Sequence, residues 1–209
     1  MIGKIVHKLK TLFHSQDAGH PKDKGSDLAF ESAQILGGNV EVGRWTYVGG
    51  NSNAFTTTPF DKITIGKFCS IADHVLILSG ADHGHMEKVT TYPIKHLMLN
   101  VVPNPDTTSK GPVIIGNDVW IASHSIILSG LTIGDGSVIG AGAIVTKSIP
   151  PYSVVVGNPG RVIKNRFSDE CIEKLLKIKW WDWDDETIIN RSRDFYGDIN
   201  LFVQKYYQS

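Results

Sequence analysis

"IGNDVWIASHSIILSGLTIGDGSVIGAGAIV", residues 115–145, carries an aliphatic residue at every sixth position: Ile115, Ile121, Ile127, Ile133, Ile139 and Val145. If about a quarter of positions are aliphatic, six hits in one phase have a chance of roughly 1 in 4000, so coincidence is a poor explanation. Small residues follow the anchors at Gly116, Ala122, Gly134 and Gly140, and recur four places after an anchor at Ser125, Ser137 and Ala143. Such a six-residue unit predicts a parallel β-helix. Each unit forms one flat face of a triangular coil, the anchor points inward, small residues let the backbone turn at the corner, and three units complete a coil.

The same phase appears upstream at Ile65, Ile71 and Ile77, and more weakly at Val42 and Val48, so the coil begins before residue 50. Two interruptions are expected. One is a short excursion over 51–62, rich in Thr, Asn and Pro; the other runs from Ser79 to Pro112. A connection of about 30 residues far exceeds ordinary lengths, which marks it as functional.

After Pro150-Pro151 and "GNPGR" (157–161) the rhythm ends, and "SDECIEKLLKIKWW" (168–181) takes up a helical period. Ser168 suits an N-cap, Asp169 and Glu170 suit the positive end of the dipole, and Ile172, Leu175 and Leu176 share a face. A second helix is expected after Trp183 with Asp184 as its cap, and a third over about 198–207. These helices are expected to close one end of the coil and hide its open sheet edge. Trp180, Trp181 and Trp183 are expected to anchor them.

At the N-terminus, "MIGKIVHKLKTLF" sets Ile2, Ile5, Val6, Leu9, Leu12 and Phe13 on one helical face. It reads as a helix packing on this or a neighbouring subunit, or as a basic amphipathic helix in weak contact with a membrane surface through residues 1–13. The resulting organisation is an N-terminal helix and linker over 1–30, the coil over 31–165 with its loop 79–112, and a helical segment over 166–209.

Charge is balanced, with 21 basic and 21 acidic side chains. No basic field is available to hold a polyanion, so nucleic acid is not an expected partner. Cys69 and Cys171 form no CxxC pair and no disulfide framework, which fits a reducing cytoplasm. Lys4, Lys8 and Lys10 interrupt what a signal peptide would need as its apolar stretch, and no run approaches the ~20 apolar residues of a membrane span.

The root of the long loop, "SGADHGHMEKV" (79–89), places Asp82, His83 and His85 where the coil halts. A histidine suits a general base, since its ordinary pKa of about 6.5 leaves it neutral at physiological pH and able to accept a proton. Either His83 or His85 fits by location, and Asp82 is a turn former that could orient a neighbour. Trp120 points outward, lining an acceptor pocket or packing at an interface. Cys69 lies at a small-residue position of the coil and reads as a buried structural thiol. No metal site is expected, because His124 has no second histidine within 115–130.

Together, "IGKFCSIA", "GADH", "TTYPI", "IIGNDVWIA", "IGAGAIVTKSIPPYSVVVGNPGRVIKNRFS" and "IKWWDW" resemble the xenobiotic acetyltransferases of the hexapeptide-repeat acyltransferase superfamily, over about residues 40–190. That family includes type B chloramphenicol and streptogramin acetyltransferases and many relatives that O-acetylate sugars. The resemblance implies a left-handed parallel β-helix with a long inserted loop and C-terminal helices. It also implies a homotrimer using acetyl-CoA, with the active site between subunits. It aligns "GADH" with a G-x-x-H arrangement, favouring His83 as the base. CoA would lie along adjacent coils, with Ala122 and Ser123 near the thioester, Ala141 beside the pantetheine, Thr146 and Lys147 further out, and Arg161 and Lys164 on phosphates.

Asp82, His85 and Trp120 would face the acceptor, a small molecule or saccharide. Alanine in "WIAS" where the family commonly has glycine narrows the acyl or acceptor space, and "GNPGR" has glycine where alanine is usual. The region 44–62 lacks the Tyr-rich segment associated with antibiotic acceptors, which favours a sugar or polysaccharide precursor. A trimeric scaffold that only binds a ligand is the reading from another class.

Overall fold

The computed structural model describes residues 34–36, 39–56, 61–80, 82–83, 86–102 and 107–207. Residues 1–13, the linker after them and His85 lie outside the described residues, and of Asp82 and His83 the backbone is described.

Short strands stack into three parallel sheets that form the faces of a left-handed triangular prism. Face one holds Val40–Val42, Ile63–Ile65, Val113–Ile115 and Thr132–Ile133. Face two holds Tyr47–Val48, Ser70–Ile71, Trp120–Ile121, Val138–Ile139 and Ser153–Val156, and face three holds Gln34–Leu36, Asn53–Thr56, Leu76–Ser79, Ile126–Ile127 and Ile144–Val145. Three edges separate them: edge one between faces one and two, edge two between two and three, edge three between three and one.

The anchors stack in register: Ile65 over Ile115 over Ile133, Ile71 over Ile121 over Ile139, and Ile77 over Ile127 over Val145. All are almost completely buried, from 0% to 3% exposed, in one continuous core. At about 1.5–3 kcal/mol for each buried aliphatic side chain, this column is the main source of stability.

The corners differ from expectation. Left-handed backbone falls three places after the anchor, at Trp45, Phe68, His74, Asp118, His124, Gly136, Gly142 and Tyr152, whatever the residue type. The glycine straight after the anchor serves a different purpose. A Cβ on Gly116 would lie 2.7 Å from the amide nitrogen of Asp135, and one on Gly134 would lie 2.4 Å from that of Pro151. Close approach of successive coils, rather than turning, therefore selects glycine there.

The excursion expected over 51–62 needs correction. Asn53–Thr56 is a strand paired with Leu76–Ser79, and buried Ala54 continues the inward phase over Ile77. Thr and Asn beside a single small anchor hide the period. The strand Gln34–Leu36, paired with Asn53–Thr56, extends the coil further upstream.

The long loop leaves edge three through Gly80 and returns through Gly111, both at positive φ (88° and 109°). Its stalk is a two-stranded antiparallel ribbon, Asp82–His83 against Thr107–Thr108, and its outer part carries the one-turn helix Ile94–Leu97.

The C-terminal segment has the expected helices: Asp169–Ile178 capped by Ser168, Asp185–Asn190 capped by Asp184, and Ile199–Tyr206 capped by Asp198. Their placement is a second correction. They do not close an end of the coil but run along edge one. Trp180 meets Phe68 at 4.9 Å between ring centroids, Lys67 pairs with Asp182 at 2.9 Å, and Arg44 and Trp45 of the first coil bind Asp185. The cause lies in the corners: Phe68 and Tyr152 sit at left-handed positions of edge one, and their rings give the helices an apolar flank to bury, while exposed Trp45 at the same position of the first coil adds its indole N–H bond to Asp185. Trp181, 2% exposed, anchors the segment as expected. The last coil is instead flanked by Arg161–Asn165, an exposed antiparallel strand on Ser153–Val156. Its charged side chains discourage further strand addition.

Candidate functional site

Edge two is where main-chain chemistry is available. Its corners are 49–52, 72–75, 122–125 and 140–143, one per coil. Some of their amides are spent on the coil: Ala122 donates to Ile139 O at 2.9 Å, Gly142 to Ser123 O at 2.9 Å and Gly140 to Val155 O at 2.8 Å. Among the described residues, the N–H groups of Ser123 and Ala141 donate to nothing. They occupy equivalent places in successive coils, so they form two outward donors about 4.8 Å apart along the axis. Such a row suits an extended ligand carrying carbonyl groups.

Ala122 and Ser123, both expected near the thioester, differ in what their amides can offer an oxyanion. The Ala122 amide is committed to the ladder, which leaves Ser123. The corner is held from inside by Ser125, fully buried, whose hydroxyl lies 2.7 Å from Ala122 O and 3.1 Å from Gly140 O.

Trp120 flanks this edge from face two, half-exposed and pointing outward between Ser70 and Val138. Gly160 donates to Ile144 O at 2.7 Å, which brings the start of the exposed strand, and with it Arg161, beside the corner of Ala141. Ala122, Ser123, Ala141, Trp120 and Arg161 thus gather at edge two. Thr146 and Lys147 are exposed on edge three of the last coil, and Lys164 lies at the far end of its strand, opposite Val154. The structure does not bring these three to the same place.

Asp82 and His83 stand at the loop stalk on edge three. Edge two and edge three of one chain are separated by the width of face three, about 15 Å for four or five extended residues. A histidine side chain does not span that distance.

One component of edge two escaped the sequence reading. His74 and His124 stack with ring centroids 4.8 Å apart, both exposed and both three places after an anchor, beside Ser123. Their shared phase after Ile71 and Ile121 is the signal that could have paired them. Among the described residues, no three of His, Cys, Asp and Glu gather to hold a metal ion.

Cys69 is fully buried, its Sγ 3.1 Å from Gly116 O, and burial pushes its thiol up to about 11. It is held as the neutral thiol and is structural. Asp118 on edge one is raised from 3.8 to about 6, chiefly by burial, with Asp135 adding to the rise and Arg166, at 3.3 Å, opposing it.

Residues 112–147 match the bacterial transferase hexapeptide family of six repeats. The chain is 47% identical over 146 residues to a probable macrolide acetyltransferase of Lysinibacillus sphaericus, covering 68% of this chain and 81% of that one. It is 36% identical over 171 residues to a chloramphenicol acetyltransferase of Agrobacterium fabrum, covering 74% and 81%. A solved galactoside acetyltransferase in complex with coenzyme A is similar at a TM-score of 0.53 and 32% identity, covering 78% of this chain and 85% of that one. The chain belongs to the hexapeptide-repeat acyltransferases, among the relatives of the chloramphenicol and galactoside acetyltransferases. It is an acetyltransferase.

Proposed function

We propose that the protein transfers an acetyl group from acetyl-CoA to an acceptor hydroxyl, with His83 as general base and the site completed by a second copy of the chain. The observation that carries this reading is the split described above. The free amides of Ser123 and Ala141 lie on one edge of the prism and the His83 stalk on another, about 15 Å apart. Packing three prisms side by side sets edge two of one copy against edge three of the next. A homotrimer therefore supplies three complete sites.

The chemistry needs a base, an oxyanion donor and a positioned thioester. The imidazole of His83 accepts the hydroxyl proton as the oxygen attacks the thioester carbonyl carbon, and the Ser123 amide donates to the oxygen that becomes negative. As the tetrahedral intermediate collapses, the carbon–sulfur bond breaks and the imidazolium returns its proton to the CoA thiolate. No acyl-enzyme is needed, which agrees with the inert state of Cys69. The pantetheine arm follows Ser123 and Ala141 towards Arg161, with Thr146 and Lys147 serving the outer part of the cofactor from the neighbouring edge, while Lys164, at the far end of its strand, lies away from that path. The cytoplasm, where acetyl-CoA is made and both cysteines stay reduced, is the compartment this chemistry requires.

A sugar hydroxyl is the acceptor favoured by the sequence, and the galactoside relative supports that class. A second reading, a hydroxylated antibiotic, is favoured by the 47% identity to the macrolide acetyltransferase. The exposed apolar side chains of the loop, among them Met86, Tyr92, Leu97, Met98 and Val102, would suit such a larger apolar acceptor. Free-thiol release from acetyl-CoA with galactosides, nucleotide sugars, a macrolide and chloramphenicol separates the two.

His83→Ala should lower kcat about 100- to 10,000-fold while CoA binding and trimer mass are retained. Full turnover in that variant would remove His83 from the mechanism. A monomer that turns over at the wild-type rate would remove the shared site.

A further inference from the structure

We infer that the C-terminal helical segment holds a second ligand site, a pocket for a phosphate-bearing small molecule, on the part of the molecule that faces away from edge two. The pocket, about 470 Å³, is lined by Arg191, Lys177, Lys205, Trp183, Tyr206 and Tyr207, and no carboxylate lines it. That volume exceeds an inorganic phosphate and falls within the range of small-molecule sites.

Arg191 is the feature that points to a ligand. Its guanidinium carbon lies 4.6 Å from the centroid of Trp183 and 4.7 Å from that of Tyr206, so two rings fix the plane of the group. Among the described residues its side chain makes no hydrogen bond and no ion pair, and Asp184 and Asp194 act on it only through their fields. The half-buried guanidinium is therefore held in position with its N–H edge unspent. A planar donor fork, oriented in advance, is what bidentate binding of an oxyanion requires.

The other cations are committed in a way that sharpens the assignment. Lys205 is fixed by Asp194 at 2.8 Å, whose carboxylate also accepts from the Tyr206 hydroxyl at 2.5 Å, and Lys177 donates to the Tyr207 hydroxyl at 3.3 Å. The Asp194 carboxylate offsets the charge of Lys205, so Arg191 and Lys177 supply the net positive field there, from which a doubly charged anion gains more than a carboxylate does. Arg191 also ends the helix Asp185–Asn190, where a cation is welcome, but a cap of that kind would spend its N–H groups on helix carbonyls. They are not so spent.

The test is isothermal titration of the full chain at low chloride concentration with inorganic phosphate and, separately, with glucose 1-phosphate. Saturable binding is expected, weakened about tenfold or more in Arg191→Met and by raising the salt, with acetyl transfer unchanged. Arg191→Lys, which keeps the charge and loses the fork, should bind weakly; it is the deciding variant if Arg191→Met fails to fold. Equal affinity for the two probes supports a site for the phosphate group alone, and tighter binding of the ester supports an organic phosphate. Absence of binding at 10 millimolar-scale probe, on the order of the weakest useful affinity, or equal binding in Arg191→Met, overturns the assignment.

Discussion

Asp118→Asn should make the protein more stable at neutral pH, the reverse of what removing an ion pair usually does. Asp118 sits on edge one between the coil and the helical segment, with 30% of its side chain exposed. Burial, partly offset by Arg166, raises its carboxyl from 3.8 to about 6. Between those two pH values the folded chain holds a proton that the unfolded chain has lost, so stability falls as pH rises through that window and is level above it. The full rise corresponds to about 3 kcal/mol, and solvent access to the side chain reduces this to about 1–2 kcal/mol.

Asparagine carries no charge to desolvate, retains an oxygen that can accept from Arg166, and tolerates the left-handed backbone at this position (φ 54°). Urea unfolding at fixed protein concentration should place the variant about 1–2 kcal/mol above the wild type at pH 7.5, with the gap gone by pH 4. A variant less stable than the wild type at pH 7.5 would show that the Arg166 pair outweighs the burial cost, and would refute the reasoning.

Two further outcomes follow from the corners. Gly136→Ala should cost about 2–4 kcal/mol, read as a fall in Tm, because φ is +68° and the new Cβ would lie 2.4 Å from the Tyr152 ring; an unchanged Tm would mean that the ring and corner can shift freely. Cys69 should react with a thiol reagent only after unfolding, and Cys69→Ser should keep its acetyl-transfer rate; a large loss of rate would return the thiol to the mechanism.

The coil was legible in the sequence because its rule is local: one inward aliphatic in six, repeated wherever a face is built. The rule weakens where the anchor shrinks, as at Ala54, and it is silent on which edge receives the helices. That choice rests on Phe68 and Tyr152, separated in sequence and united on edge one only when the coils stack. The helix caps Ser168 and Asp184 were readable for the same local reason as the coil. For the candidate site, the residue types were readable but their grouping was not. Ala122 and Ser123 are neighbours in sequence with opposite hydrogen-bonding fates, and the ladder decides between them. The His74–His124 stack, fifty residues apart in sequence, exists only through the register of two coils.

The loop interrupts the chain without interrupting the ladder: Ile65 still lies over Ile115 and Ile77 over Ile127. Closing a loop costs only about 0.6 kcal/mol more each time its length doubles. The gap between Gly80 and Gly111 therefore behaves as a socket in a chassis, into which segments of different length and character can be fitted while the stack beneath stays as it is. In the proposed mechanism the coil serves the donor end of the reaction through repeated backbone, and the socket leaves the acceptor end open to exchange.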